Sequence, residues 1–427
     1  MKIVIVSENI SMKMGGEASL GLYYFRLFRR RGVEVVAVCH ARVRDEINAS
    51  LPEAEAKRFH FIEDTPLQAF AWRVSELVPP RIRDLIFGQA IHMVTMRRVR
   101  RLVQTLCANS QDWICLEPSP ITPLGVSFMY GLGIPVVIGP LCGGLEFPPA
   151  FRYLDGKFTR ATVKIGRAFS EVINRLIPGK LQADTLLVAN ECTRRALPKG
   201  CRGQVYEVVE SGVDLAIWSP RDTRHIDANS RVRFVFSGRF VDWKGISFMV
   251  DAFQYVAGKT GAVLELIGDG EMRSEIEKRI GELRIEDKVI LHGWKSRPEA
   301  AEIIRNCDVF VMPSLRECGG TAILEAMALG LPVVATNWAG PSSYVAESSG
   351  ILVDPLSKEE FIQGLSDAML RLAEAPELRR SMGRAGIDRV RTCYFDWDSK
   401  SDRVLEILRE TLRESSNPIG PPQPTNR

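Results

Sequence analysis

None of the nine cysteines stands in a C-x-x-C pair, and their number is odd and their spacing scattered. They read as reduced core residues or free thiols, and the expected compartment is cytosolic. Nor does the N-terminus read as a leader: the apolar part after Met1-Lys2 is only Ile3 to Val6, too short for a signal peptide and of the length of a first strand. Residues 118 to 145 carry no charge, which by length alone raises a membrane span, but Pro123, Pro135, Pro140 and scattered glycines break it. That stretch is read as a buried helix near 122 to 131, a core strand from Pro135 to Ile138 and a glycine-rich loop. No G-x-G-x-x-G follows the first strand, which disfavours a nicotinamide-dependent oxidoreductase. The basic residues lack interleaved aromatics, so nucleic acid is not an expected partner.

What is present is a chain of 427 residues, 45% apolar and 25% charged, the composition of a soluble globular protein of two domains. Its formal charge of +4 is unevenly spread. Residues 1 to 210 hold 28 Lys and Arg against 20 Asp and Glu, and the rest hold 28 against 32. The two halves therefore face different things.

Apolar runs bounded by turn residues alternate with helical patterns, the signature of parallel sheets wrapped by helices. In the first half the expected strands are Lys2 to Ser7, Val33 to Cys39, Trp113 to Leu116, Pro135 to Ile138, Thr185 to Ala189 and Val205 to Val209. The second half starts afresh with Phe234 to Phe236, Val263 to Ile267, Val289 to Leu291, Val309 to Met312 and Val333 to Ala335. The expected fold is α/β, two Rossmann-like doubly wound parallel-sheet domains facing a central cleft. The first spans 1–218 and the second 219–395, with a polar, proline-bearing linker near Ser219 to Ser230. A helix of about 396–414 crosses back to the first domain, and 415–427 reads as a disordered tail. Ligands in such sheets collect at the carboxyl ends of the strands, so the two domains would share a cleft.

Between Glu317 and Glu347, Glu325 is the only charged residue. Around it Ala322 to Leu329 form a short buried helix stopped by Gly330 and Pro332. A carboxylate out of water without a partner costs several kcal/mol, so a ligand or a cation should meet Glu325. Glu317 stands just before Gly319, Gly320 and Thr321, whose amides open that helix with the positive end of its dipole, an end that suits phosphate. Taken alone, this is also the pattern of a tight turn with a surface Glu. After the strand Phe234 to Phe236, Gly238, Arg239 and Lys244 lie in one loop, where two cations could grip a diphosphate and neutralise charge as a bond to it breaks. Gly268 and Gly270 make a G-x-G turn at the next strand end, and Trp294 follows His292-Gly293 at another, where a backbone edge would face a nucleobase. In the first half, Gly15 and Gly16 open a helix after the first strand, so amides there can approach a phosphate.

The order GVDLAIWSP, SGRFVDWKG, IGDGE, LHGW and ECGGTAILEAMALGLPVVAT resembles the successive motifs of the retaining, family-4 glycosyltransferases of GT-B fold, with an E-x7-E signature at Glu317 and Glu325. The match runs closely from about Val208 to Ala335 and more loosely through the first half. The resemblance implies that Arg239 and Lys244 bind the diphosphate of a nucleotide-sugar donor, such as a UDP- or GDP-sugar. It implies that Glu325 holds the ribose hydroxyls, Glu317 the transferred sugar, and amides from Gly319 to Thr321 the phosphate or sugar. Gly15-Gly16 would close over the donor. No cofactor and no metal is implied, and Asp396-Trp397-Asp398, although a D-x-D, reads as a helix cap. Many relatives carry a histidine shortly before the Glu-Pro pair, where this chain has Leu116. Glu117, Glu8 and Glu146 are the remaining acceptor-side carboxylates. The acceptor expected is a saccharide or a lipid-linked one. The stretch from Pro79 to Leu106 sets arginines among aliphatic residues, the pattern of a basic amphipathic helix, so a peripheral contact of the first domain with the cytoplasmic membrane face is expected. A catalytically silent sugar-nucleotide-binding protein is the alternative that the missing histidine keeps open.

Overall fold

The computed structural model describes residues 1–75, 87–108, 110, 112–155, 157–220 and 231–416. Seven parallel strands form the first sheet: β1 Lys2–Val6, β2 Glu34–His40, β3 Phe59–Ile62, β4 Trp113–Glu117, β5 Val136–Leu141, β6 Thr185–Val188 and β7 Gln204–Glu207. Their order is β3-β2-β1-β4-β5-β6-β7, so the chain reverses direction across the sheet between β1 and β4. Six parallel strands form the second: β8 Arg233–Ser237, β9 Val263–Ile267, β10 Val289–Gly293, β11 Val309–Met312, β12 Val333–Thr336 and β13 Gly350–Val353, in the order β10-β9-β8-β11-β12-β13. Here the reversal falls between β8 and β11. Runs such as Ile3-Val4-Ile5-Val6 and Val309-Phe310-Val311-Met312 are buried on both faces because helices cover both sides. At each reversal the loops diverge and leave a crevice at the strands' carboxyl ends.

Several expectations need correction. β3 and β13 were not foreseen: each is four residues at a sheet edge, β3 interrupted by His60 and β13 opened by Gly350. Residues 122 to 131 form turns rather than a helix. Their polar groups are drawn to local partners, with the Gly125 amide donating to the Thr122 carbonyl (3.3 Å) and the Ser127 hydroxyl to buried Glu117. The final helix runs Trp397–Ser416, so Ser415 and Ser416 are helical, and the rest of the expected tail lies outside the described residues. The expected linker likewise lies outside them beyond Pro220, as does the segment 76–86 of the basic stretch. Cys142 and Cys318 are joined in a disulfide, contrary to the expectation of free thiols throughout. They are 176 residues apart, and only the meeting of the two lobes brings them together.

Two crossings tie the lobes. The turn Pro149–Leu154 leaves the first sheet and inserts Phe151 into the second lobe's core, with ring centroids 5.5 Å from Phe248 and 5.7 Å from Phe361. In return, Trp397 stacks on Tyr23 at 4.3 Å, and Val404, Leu405 and Leu408 of the same helix lie in the first lobe's core. Truncating Phe151 to Ala should therefore cost about 3 to 5 kcal/mol in urea unfolding of the full chain. Tyr153→Ala, on a side chain 62% exposed, should stay within about 0.5 kcal/mol. Similar losses in both variants would contradict this junction.

Candidate functional site

The second lobe's strand-end loops are built on one another. The Gly238 amide donates to the Ile267 carbonyl (3.0 Å) and the Phe240 amide to the Asp269 carbonyl (2.9 Å). A β-carbon at Gly268 would sit 1.9 Å from the Gly238 oxygen, and one at Gly270 2.4 Å from the Phe240 oxygen. These glycines are required for loop packing. Phe240, fully buried, anchors the loop from beneath, and Gly245 turns it at φ 67° where a side chain would strike the Pro313 carbonyl at 2.2 Å. The loop thereby delivers Lys244 inward, where its ammonium pairs with the Glu317 carboxylate; both side chains are less than one-fifth exposed. Arg239, on the same loop, is exposed. Trp294 is 75% exposed, while His292 turns inward onto Glu265 at 2.8 Å.

Glu317 sits at the entry of the helix Thr321–Ala328, and its other oxygen accepts from the Gly320 amide at 3.4 Å. Gly320 adopts φ 42°, which frees the turn to present the helix's first amides. Gly319 has a different reason: a β-carbon there would lie 1.7 Å from Oε1 of Glu210. Glu210 is itself buried, and burial raises its pKa. The ammonium of Lys400, fully buried on the returning helix, donates to the Ser211 carbonyl next door, and burial lowers its pKa.

Glu325 lies one turn into the helix, 13% exposed, and its partner is Arg297 at 3.1 Å. Burial pushes its pKa up to about 7, opposed by the Arg297 guanidinium and their hydrogen bond. The isolated acid thus has the cation that its burial demands. Glu325, Arg297, Thr321 and Glu210 line one side of a cavity of ≈ 530 Å³, and Gly15, Gly16 and Tyr23 of the first lobe line the other. Gly15, at φ 96°, opens the helix Gly16–Arg30 with nothing within 4 Å of where a side chain would begin. Glu17 pins that loop by accepting from Ser119 (3.1 Å) and the Ile121 amide (3.0 Å).

Among the acceptor-side carboxylates, Glu117 is buried on Ser127 with its pKa pushed up by burial to about 7. Glu8 touches His92 and lies 3.4 Å from Arg42, lining a second cavity of ≈ 510 Å³. Glu146 is exposed and pairs with Arg167 at 3.1 Å. Asp396 accepts from the amides of Asp398 (3.0 Å) and Ser399 (2.9 Å) and caps the last helix.

Sequence reasoning passed over Arg297 and Glu210. Arg297 follows Ser296 in a capping box with Glu299, so its helix was readable, but its reach to Glu325 depends on two loops meeting. Glu210 directly follows the apolar pair Val208-Val209 and precedes Gly212, an acid at a strand-end turn that marks it in retrospect.

Residues 223–389, in the second lobe, match the family described as glycosyl transferases group 1. The chain is 31% identical over 224 residues to a D-inositol 3-phosphate glycosyltransferase of Segniliparus rotundus, covering 49% of this chain and 48% of that protein. It is 32% identical over 191 residues to the lipopolysaccharide core biosynthesis glycosyltransferase LpsE of Rhizobium meliloti, covering 44% and 53%. The chain thus spans about half the length of the curated relatives it matches. A glycosyltransferase of Rickettsia africae superposes with a TM-score of 0.61 at 13% identity, covering 96% of this chain and 98% of that one. HepE of Anabaena, solved in complex with UDP, gives 0.61 at 13%, covering 96% and 100%. The fold is GT-B.

In the unfolded chain Glu325 ionises near its ordinary 4.5, whereas the fold keeps it protonated up to about 7. The folded state therefore holds the extra proton between those values, and stability falls as pH rises through that window, by about 3 kcal/mol at most for this residue. Glu117 adds a loss of the same sign. Glu325→Gln should match wild type in melting temperature near pH 5 and exceed it at pH 8. The same pH slope in both chains would contradict the burial of that acid.

Proposed function

We propose that the chain is a retaining glycosyltransferase that needs no metal and moves a sugar from a nucleotide-diphosphate sugar, such as a UDP- or GDP-sugar, to a hydroxyl of a saccharide or lipid-linked acceptor. Its place is the assembly of cell-surface polysaccharide or glycolipid at the cytoplasmic membrane face, with the basic first lobe toward the lipid. The observation that carries this reading is the pairing of two sequestered acids, eight positions apart around one helix entry, with cations from separate segments: Glu317 with Lys244 and Glu325 with Arg297.

The donor's diphosphate takes Lys244 from Glu317 and gathers the amides that open the helix Thr321–Ala328. Lys244 then balances charge on the departing diphosphate, and Arg239 closes on it from the exposed end of the loop. Glu317, released, accepts from a hydroxyl of the transferred sugar. Glu325, positioned by Arg297, accepts from the ribose hydroxyls, and Trp294 lies on the base side. Gly15 and Gly16 bring the first lobe's amides over the donor. The acceptor hydroxyl attacks the anomeric carbon on the face the nucleotide leaves. The new carbon–oxygen bond forms as the bond to phosphate breaks, and a phosphate oxygen takes the proton. No enzyme nucleophile is required, and the absence of a histidine at Leu116 is no obstacle.

A melting panel with UDP, GDP, ADP, TDP and NAD reads the donor base, because a ligand of the folded state raises stability by mass action. One nucleoside diphosphate should give the largest shift. Transfer of radiolabelled sugar should fall about 100-fold or more in Lys244→Ala and Glu325→Ala, the usual cost of losing one charge-stabilising contact at a reacting centre. Wild-type rates in both variants would end the site assignment. A nucleotide shift without transfer to any hydroxyl acceptor would favour a silent sugar-nucleotide-binding protein.

A further inference from the structure

Two helices of the first lobe are built inside out. In the helix Pro66–Ser75 the buried positions are polar: Gln68 is 3% exposed and donates to Thr95 at 2.9 Å, and Ser75 is fully buried on the Trp72 carbonyl at 2.6 Å. Its apolar side chains point the other way, with Leu67 74%, Phe70 63%, Trp72 44% and Val74 37% exposed. The helix Lys157–Leu176 repeats the pattern in its last turns. Ser170 and Asn174 face inward, Ser170 donating to the Leu124 carbonyl at 2.7 Å, while Phe169, Val172 and Leu176 are 64%, 55% and 74% exposed. A helix packed on a globular core shows the opposite arrangement. Clustered large apolar side chains in contact with solvent mark an interaction surface.

Both helices lie on the same side of the seven-stranded sheet. The first is hydrogen-bonded through Gln68 to the helix Gln89–Cys107, whose Met96, Val99 and Val103 belong to the core cluster on that side, and Ile173 of the second packs on the same cluster. Exposed arginines stand on these helices and on the helix Gln89–Cys107: Arg73 between Trp72 and Val74, Arg175 beside Leu176, and Arg97 and Arg101. They belong to the half of the chain with 28 basic against 20 acidic residues. Among the described residues no helix is long and apolar enough to cross a membrane. Exposed apolar side chains on arginine-bearing helices suit a surface with hydrocarbon beneath anionic headgroups. A second copy of the chain would bring two sets of these arginines together, which association disfavours.

We infer that Leu67 and Phe70, together with Phe169, Val172 and Leu176, insert into an anionic lipid bilayer, the arginines of these helices meeting its headgroups. This rests on the reading that the first lobe faces the membrane, and it assigns the apolar part of that contact to two other helices. The chemistry at Lys244 and Glu325 plays no part in it.

The test is sedimentation of the full chain with vesicles of phosphatidylglycerol and phosphatidylethanolamine, beside vesicles of phosphatidylcholine alone. Wild type should pellet with the anionic vesicles and bind phosphatidylcholine at least tenfold more weakly. The double variant Phe70→Ser, Phe169→Ser should bind the anionic vesicles at least tenfold more weakly than wild type while keeping its melting temperature and its nucleotide-induced shift. Wild type left in the supernatant, or a double variant that pellets as wild type does, overturns the inference and leaves the transferase reading intact. A concentration-dependent dimer in sedimentation equilibrium that Phe70→Ser abolishes also overturns it, in favour of a second copy. Vesicle binding as described, with no shift from any nucleotide, sinks the donor reading alone.

Discussion

The site depends on the cost of holding two carboxylates out of water at one helix entry. Glu317 and Glu325 are both mostly sequestered, and each is met by a cation that its own segment does not supply. An unpaired charge at either position would cost several kcal/mol, so the loops carrying Lys244 and Arg297 cannot drift without penalty. That requirement fixes the path of the loop after β8, which is in turn locked to the loop after β9 through Gly238, Gly268 and Phe240. It also explains why Glu325 pays for burial with a pKa near 7 while sitting beside an arginine: desolvation is the larger effect and the ion pair the smaller.

A second constraint comes from the junction of the lobes. The cavity beside Glu325 is closed by Gly15, Gly16 and Tyr23, and Tyr23 is held by Trp397 from the helix that returns out of the second lobe. Phe151 makes the reverse crossing. The Cys142–Cys318 bond crosses beside Glu317 as well. These ties come from segments far apart in sequence, so the cleft's shape is a property of the whole chain. Glu210 lies close against this junction, since a β-carbon at 319 would force its carboxylate to shift.

How much of this was legible in the sequence followed from the range of the interactions. Strands buried on both faces announced themselves: Val263–Ile267 and Val309–Met312 coincide with the apolar runs that predicted them. Two edge strands, β3 and β13, did not, because they are short and carry His60 and Gly350 where a central strand would carry aliphatics. The turns at 122 to 131 were mistaken for a helix, since an uncharged apolar composition does not reveal that Ser127 is claimed by Glu117. At the site, the need of Glu325 for a cation was readable from its isolation, but the identity of that cation was not, because Arg297 arrives from another loop. Likewise Lys244 and Glu317 could each be singled out, yet nothing local indicates that they touch. The disulfide was invisible for the same reason.

The most direct test of the account is a crystal structure of the chain with UDP, or with whichever nucleoside diphosphate binds most tightly. The account predicts ribose hydroxyls within hydrogen-bonding distance of the Glu325 carboxylate, the diphosphate against the Lys244 ammonium and the amides after Gly319, and Glu317 turned away from Lys244. A nucleotide bound elsewhere, with the Lys244–Glu317 and Arg297–Glu325 pairs undisturbed, would contradict it.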